Sequence, residues 1–200
     1  MYTGKNNSAE RNKLYPVFLK LETLHTLLVG GGYVALEKLQ SVLGNAPAAA
    51  ITIVAPLIRN ELREFIKGYV NINIIERKFE AVDLEEKNLV IVAIDDTEAS
   101  KEIKRLAGEK KLLVNVADTP ELCDFYLGSI VQKGNLKIAV STNGKSPTIA
   151  KRIKETLNDT LPEEIDELLD NMQQIRDKLS GDFAQKVKEL NELTKQLVTK

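Results

Sequence analysis

The stretch "LLVGGGYVALEKLQSVLG", residues 27–44, places three consecutive glycines between a short apolar run and a segment whose apolar residues recur with helical spacing. Within it, "GGGYVA" fits the pattern G-x-G-x-x-A at Gly30, Gly32 and Ala35. When this pattern follows a strand and opens a helix, as it does here, it is typical of a turn that binds a dinucleotide. The stretch therefore predicts the first strand and helix of a dinucleotide-binding sheet.

Each small residue of the pattern has a physical role in such a turn. Gly30 permits the tight turn, Gly32 lets the backbone approach a pyrophosphate, and Ala35 lets the helix pack closely on the strand. The unpaired N–H groups at the start of the helix would face the anion. These roles make the stretch a candidate phosphate-binding loop.

One expected part is missing. The carboxylate that usually binds the ribose lies about 20 residues further on, at the end of the second strand. Here that strand ends in Val54, Ala55 and Pro56, none of which carries a carboxylate. Two interpretations stay open: a purely structural turn, or a cofactor whose ribose is held by backbone groups and another loop.

Around the glycines, short β-branched runs alternate with longer amphipathic segments from about Leu24 to Asp118, which is the pattern of βαβ units. Right-handed crossovers between these units predict an α/β fold with a Rossmann-type, doubly wound parallel sheet. The predicted strands are Leu24–Val29, Ala50–Val54, Val70–Glu76, Leu89–Ile94 and Leu112–Val116. The predicted helices are Tyr33–Leu43, Leu57–Lys67, Thr97–Glu109 and a short one near Val82–Glu86.

The pattern changes after Asp118. Two β-rich runs flank Gly134 and Asn135, residues that accept the positive φ of a hairpin turn, so we predict an antiparallel hairpin. Ser146 and Pro147 suit the N-cap and first position of a helix, and a further helix begins with Pro162 and acidic residues. The apolar positions that follow share one stripe, which either packs within the monomer or forms a subunit interface. They are Ile165, Leu168, Leu169, Met172, Ile175, Leu179, Phe183, Val187, Leu190 and Leu193.

The composition provides a core and no dominant charge. The 200 residues are 43% hydrophobic and 28% charged with a formal net charge of -1, so no global field favours nucleic acid or an acidic membrane surface. Cys123 is the only cysteine, which excludes an intramolecular disulfide and a metal site built on several thiolates. The polar N-terminus lacks the apolar core of a secretory signal, and no run approaches the roughly 18 apolar residues of a membrane span. We expect a cytoplasmic protein that binds no nucleic acid and no membrane.

Aspartates follow two of the predicted strands. Asp95 and Asp96 come after the fourth strand, where they would lie across the switch point from the glycines or cap the next helix. Asp118 follows the fifth strand, where it is either a ligand-facing carboxylate or a turn-former before Thr119 and Pro120.

The segment "NVADTPELCDFYLGSIVQKGNLKIAVSTNGKSPTIAKRIKETL" strongly resembles the siroheme synthase N-terminal family, the precorrin-2 dehydrogenases, some of which are also sirohydrochlorin ferrochelatases. The glycine loop, "DD", "NVAD" and "STNGKSP" occur in the family's order, and the likeness runs from about Leu14 to about Leu161. It implies a polar extension over 1–13, an NAD-binding domain over 14–124, a hairpin dimerisation region over 125–145 and a helical domain over 146–200. The missing ribose carboxylate is a trait of this family.

The resemblance also implies an activity and its residues. The reaction is the NAD-dependent oxidation of precorrin-2 to sirohydrochlorin by a homodimer, with Asp118 accepting the proton. The cofactor site would comprise Gly30, Gly31, Gly32, Tyr33, Val34, Pro56, Leu57 and Asp95. The substrate carries many carboxylates, and its candidate contacts are Asn115, Ser141, Thr142, Lys145, Lys151, Arg152 and Lys154. Each basic residue among them could equally belong to an ordinary solvated helix face.

No resident metal site is predicted, because the single histidine, His25, falls in or beside the first strand. Two alternatives to a simple dehydrogenase stay open. The protein could also insert ferrous iron into sirohydrochlorin, or it could be a non-catalytic NAD-sensing or tetrapyrrole-carrying module, which would not need Asp118.

Overall fold

The computed structural model describes residues 12–179 and 183–194. The described chain divides after Leu127 into two units. The first unit holds a five-stranded parallel sheet in the order β3-β2-β1-β4-β5. Its strands are β1 (His25–Val29), β2 (Ala50–Val54), β3 (Ile72–Ile75), β4 (Leu89–Val92) and β5 (Leu113–Val116), and its helices are α1 (Tyr33–Asn45), α2 (Asn60–Ile66) and α3 (Thr97–Glu109). The predicted doubly wound sheet is confirmed.

The register aligns the carboxyl ends of the strands. Val29 of β1 pairs with Val54 of β2 and with Val92 of β4, and Val92 pairs in turn with Val116 of β5. The loops that follow these strands therefore leave the sheet from one edge. Because the strand order reverses between β1 and β4, this edge is the switch point at which open α/β sheets bind ligands.

The core of the first unit lies on both faces of the sheet. Leu28 and Ile53 pack on one face with Leu39 of α1 and Leu62 of α2. Their neighbours along the same strands point to the other face, where they meet Ile103 and Ala107 of α3. Strands covered on both faces read as continuous apolar runs, which is why the strands were visible in the sequence.

Three predicted helices differ from the structure. The first was expected to end at Leu43 but continues to Asn45. The second was expected over Leu57–Lys67 but begins at Asn60, because the preceding residues pack against the glycine loop, where Arg59 N donates to Gly31 O at 3.0 Å. The short helix predicted near Val82–Glu86 is a 3-10 turn over Ala81–Leu84, fixed by a capping box. It cannot continue through Glu86, whose φ is 56°.

The remaining strand limits differ at their ends. The third strand was expected over Val70–Glu76 but is confined to Ile72–Ile75, since Val70 is fully exposed. The first and fifth strands each begin one residue later than expected, and the fourth ends at Val92.

The second unit begins with the predicted hairpin. Strands β6 (Ser129–Lys133) and β7 (Leu136–Val140) pair antiparallel about Gly134, whose φ is 53°. Helices α4 (Pro147–Thr160), α5 (Ile165–Lys178) and α6 (Phe183–Thr194) follow. Ser146 caps α4 as predicted, its hydroxyl accepting from Ile149 N. The expected start of α5 at Pro162 is wrong, because residues 162–164 form a turn before the helix.

The predicted apolar stripe is only partly covered. No residue of α5 is buried, and Leu169 and Val187 are each 38% exposed. The side chains of Phe183 and Leu193 lie outside what the structure describes. Among the described residues, no helix is both long and apolar enough to cross a membrane.

Candidate functional site

The three glycines after β1 have different reasons for being glycine. A Cβ at Gly30, whose φ is 129°, would overlap the carbonyl of Ala93, and one at Gly31 would overlap the carbonyl of Leu57. The packing of the protein itself therefore requires both. At Gly32 the φ is -89° and an added Cβ would meet no atom within 4 Å. Neither backbone conformation nor internal packing explains this glycine, so the space beside it is available to a ligand.

Helix α1 begins at this open position. Gly32 is its N-cap residue and gives no side-chain cap to the first turn. The first N–H groups of a helix have no partner within the helix and attract anions, and phosphate commonly binds there. We call the open space beside Gly32, together with the uncapped start of α1 at Tyr33, the cradle. It fits the pyrophosphate of a dinucleotide.

On the β2 side of the cradle, the chain between β2 and α2 forms the wall. Ala55 and Ile58 are buried, whereas Pro56 is exposed and Leu57 exposes 76% of its surface. Pro56 and Leu57 thus leave apolar surface exposed beside the glycine loop, and their contact with a cofactor stays a prediction. No carboxylate stands at the end of β2.

A polar cluster that the sequence analysis missed follows this wall. The Arg59 guanidinium lies 3.7 Å from the centre of the Tyr33 ring, and its Nη2 donates to the Tyr33 hydroxyl at 2.5 Å. Both groups also contact Glu61 Oε1, each at 3.3 Å. A hydrogen bond from the backbone of Glu61 and another from Arg59 lower the pKa of the Glu61 carboxyl. The only sequence signal was an arginine and a glutamate flanking a helix start.

On the β4 side, the two aspartates have separate environments. The Asp96 carboxylate accepts from Ala99 N at 2.9 Å and caps α3. Asp95 is exposed, and its carboxylate has no hydrogen-bond partner within residues 12–179 and 183–194. Capping therefore belongs to Asp96, and Asp95 is left at the switch point facing solvent.

Asp118 lies just beyond β5 at the same edge. Ala117 N still donates to Val92 O at 2.9 Å, so the sheet ends one residue before Asp118. The φ of Asp118 is 56°, a left-handed conformation that Asp tolerates better than most residues and that turns the chain away from the strand. Its side chain is exposed and forms no hydrogen bond or ion pair in the described parts of the chain. Since β4 alone separates β1 from β5, the loops bearing Gly30 and Asp118 leave the sheet about 10 Å apart.

The Asn115 side chain is buried and hydrogen-bonds to the chain that follows β5. It is 6% exposed, and its Nδ2 donates to Phe125 O at 2.8 Å. Cys123 closes the same connection, with its Sγ accepting from Val116 N at 3.2 Å, and burial raises the pKa of this thiol. The observed contacts of Asn115 are internal, and its substrate contact stays a prediction.

The remaining candidates for substrate contact lie in the second unit. Thr142 Oγ1 accepts from Ser146 N at 3.1 Å and donates to Ser146 O at 3.0 Å, so this hydroxyl shapes the turn before α4. The Ser141 hydroxyl accepts from Asn143 N. Arg152 pairs with Glu155 at 2.8 Å. The other basic candidates are exposed and have no ion pair in the described chain: Lys145, Lys151 and Lys154.

The described residues contain no group of three or more His, Cys, Asp or Glu side chains that could hold a metal ion. His25 lies in β1, with its Nε2 hydrogen-bonded to Thr52 Oγ1 at 2.9 Å. Burial lowers its pKa, which favours the neutral ring. This histidine belongs to the amino end of the sheet, away from the glycine loop.

Comparison with known proteins gives matches along most of the chain. Residues 17–129 match the family described as "Putative NAD(P)-binding", and residues 133–160 match "Sirohaem biosynthesis protein central". The siroheme synthase of Ruthia magnifica is 33% identical over 176 residues, covering 87% of this chain and 34% of that protein. The siroheme synthase of Thioalkalivibrio sulfidiphilus is 37% identical over 148 residues, covering 74% of this chain and 30% of that protein. The chain thus spans about a third of the length of these curated relatives.

A solved structure matches nearly end to end. It is titled "SirC, precorrin-2 dehydrogenase", and it superposes with a TM-score of 0.69 at 27% identity. The match covers 90% of this chain and 89% of that chain. The likeness therefore extends beyond the first unit, which ends at Leu127.

Proposed function

Because the chain belongs to the siroheme synthase N-terminal family, we propose that it is an NAD-dependent precorrin-2 dehydrogenase that forms sirohydrochlorin. The observation that carries this proposal is the pairing, at one edge of the sheet, of an open dinucleotide cradle at Gly32 with an unpaired carboxylate at Asp118. The extent of the likeness to a precorrin-2 dehydrogenase supports the choice of substrate.

The residues around the cradle would hold the cofactor. The backbone of Gly30 to Gly32 and the first N–H groups of α1, from Tyr33 and Val34, bind the pyrophosphate. Pro56 and Leu57 supply apolar contact on the β2 side, and Asp95 borders the site on the β4 side. When bound, NAD supplies the acceptor for hydride. That NAD rather than NADP fills this role is part of the proposal.

Asp118 acts as the general base. Oxidation of precorrin-2 removes one hydrogen as hydride and another as a proton, and the Asp118 carboxylate accepts that proton. Its position beyond β5 suits this role, because the side chain is exposed and no protein group competes for its oxygens in the described chain. The left-handed backbone at Asp118 fixes where the carboxylate stands at the edge of the sheet.

Basic residues of the second unit would bind carboxylates of the substrate. Lys145, Lys151 and Lys154 carry positive charges without an ion pair in the described chain, which supports contact with carboxylates. The resemblance implies a homodimer contact at the hairpin over 125–145, and the partly exposed stripe of α5 and α6 supports an interface that also includes Leu169 and Val187. We assign this biosynthetic enzyme to the cytoplasm.

The test is Asp118→Asn, which keeps the size of the side chain and removes its ability to accept the proton. We expect turnover of precorrin-2 with NAD to fall by at least about 100-fold, the lower range for loss of a general base, while NADH binding stays unchanged. The matched control is Glu121→Gln, an exposed carboxylate in the 3-10 turn Pro120–Leu122, which should turn over normally. Undiminished turnover in Asp118→Asn would contradict the assigned role.

A further inference from the structure

The cluster of Tyr33, Arg59 and Glu61 beside the glycine loop contains a carboxylate, although the end of β2 does not. We propose that Glu61 supplies the ribose-binding carboxylate, and that Tyr33, Arg59 and Glu61 together form a clamp for the adenosine ribose that selects NAD over NADP. The inference rests on the proposed function only in taking the glycine loop to bind a dinucleotide.

The clamp lies on the side of the cradle where the adenosine ribose is expected. In dinucleotide-binding sheets the acidic residue near the end of the second strand binds the ribose 2′-hydroxyl, so the β2 side of the glycine loop is the adenosine side. The loop from β2 to α2 lies directly against the glycines, with Arg59 N donating to Gly31 O at 3.0 Å. Glu61 lies in the first turn of α2, a few residues further along the chain than the ribose-binding carboxylate of other dinucleotide-binding sheets.

The geometry leaves the Glu61 carboxylate able to accept further hydrogen bonds. Arg59 Nη2 and the Tyr33 hydroxyl both contact Oε1 of Glu61. The other carboxylate oxygen, Oε2, meets no side-chain donor in the described chain. The Glu61 side chain keeps 50% of its surface exposed. Because the neighbouring donors favour the charged form, the group offers an ionised oxygen to a ribose hydroxyl.

Arg59 positions this carboxylate. Its guanidinium is held between the Tyr33 ring and Glu61, and stacking on an aromatic face fixes the plane of an arginine. Its Nε is buried without a hydrogen-bond partner in the described residues. The Nε atom therefore does not add to the contacts that hold the guanidinium, which come from its outer nitrogen and the Tyr33 ring.

The charges predict the direction of selectivity. An ionised Glu61 accepts the 2′-hydroxyl of NAD but repels the 2′-phosphate of NADP. Arg59 would attract that phosphate, yet its charge is neutralised by Glu61 in the same cluster. Removal of the Glu61 charge should therefore release Arg59 to bind the phosphate and reverse part of the selectivity.

The experiment is a fluorescence titration of the full chain with NADH and, separately, NADPH. We expect the unmodified protein to bind NADH at least about tenfold more tightly than NADPH. Glu61→Gln should weaken NADH binding, strengthen NADPH binding and so abolish the preference. Adding Arg59→Ala to Glu61→Gln should remove the gained NADPH binding. The matched control is Glu64→Gln, another exposed glutamate of α2 that pairs with Lys67, and it should leave both affinities unchanged.

A second variant keeps the test decisive if Glu61→Gln fails to fold. Tyr33→Phe retains the ring under Arg59 but removes the hydroxyl that contacts Glu61, and it should by itself weaken NADH binding and lower the preference for NADH over NADPH. An unmodified protein that binds NADPH as tightly as NADH would overturn the clamp, as would an unchanged NADH-to-NADPH ratio in either variant that folds. The clamp would then fail while precorrin-2 oxidation could still be observed. Conversely, the predicted affinities without any oxidation of precorrin-2 would support the clamp and contradict the proposed function.

Discussion

At the scale of residues, the glycine loop separates structural need from ligand need. Gly30 and Gly31 are required by the carbonyls they approach, and only Gly32 lacks an internal reason. The motif spacing located all three, but which of them faces a ligand could not be read from it. The Arg59–Glu61 cluster was missed for a similar reason, since stacking of one loop on the first turn of another helix leaves no periodic signal.

Alanine at each position distinguishes these roles. Gly30→Ala forces a Cβ into the Ala93 carbonyl at a positive φ, and we expect it to lower the free energy of unfolding by at least about 2 kcal/mol. Gly32→Ala should unfold like the unmodified protein but bind NADH much more weakly, because the methyl group occupies the pyrophosphate approach. Thermal unfolding and NADH titration of both variants measure the difference. Normal NADH affinity in Gly32→Ala would refute the cradle.

At the scale of elements, the strands were predicted more accurately than the connections. Ala50–Val54 and Thr97–Glu109 have the predicted limits, because apolar runs and a capping aspartate mark them directly. The start of α2 was predicted three residues too early, since residues 57–59 have helical composition but pack on the glycine loop. The turn at Ala81–Leu84 likewise depends on Arg77. Its Nη2 donates to Oδ1 of the buried Asp83 at 2.7 Å, and its Nη1 donates to Oδ2 at 2.8 Å.

This Arg77–Asp83 pair predicts a dependence of stability on pH. Burial by itself would raise the pKa of Asp83, but the hydrogen bonds from Arg77 and from Glu80 N outweigh it and lower the pKa. A lowered folded-state pKa means that the stabilisation is complete above the unfolded value of about 3.9 and is lost as pH falls through the folded value. We expect Asp83→Asn to destabilise the protein by roughly 2 kcal/mol at neutral pH. This is less than the roughly 3–5 kcal/mol lost when one partner of a fully buried ion pair is removed, because Arg77 remains partly solvated.

The measurement is denaturant unfolding from neutral pH down to about pH 2, below the unfolded pKa of aspartate. The difference in unfolding free energy between the unmodified protein and Asp83→Asn should shrink on acidification. Glu85→Gln, which alters an exposed ion pair with Lys110, serves as the control and should show a small, nearly constant difference. A constant deficit for Asp83→Asn across the pH range would argue against the assigned pair.

At the scale of the whole molecule, the order of the parts was readable from the sequence. The resemblance carried by "NVAD" and "STNGKSP" is confirmed by family matches over residues 17–129 and 133–160. Whether the apolar stripe of α5 and α6 packs internally or between subunits could not be read, because helical periodicity gives a face but no partner. The exposed Leu169 and Val187 favour the interface.

Oligomeric state tests that interpretation. Light scattering of the purified chain should give twice the chain mass, and replacing Leu169 and Val187 together by lysine should reduce the mass toward that of one chain at low concentration. Lysine at the neighbouring exposed Gln173 should leave the mass unchanged. A monomeric unmodified protein would exclude the interface.

An anaerobic assay of the unmodified protein with precorrin-2 and NAD measures the proposed oxidation itself. We expect NADH and sirohydrochlorin to appear together in equal amounts, and neither to form when NAD or the protein is omitted. Subsequent addition of ferrous ion to the same sample reports separately on the chelatase hypothesis. A folded protein that binds NADH but leaves precorrin-2 unchanged would refute the proposed dehydrogenase activity.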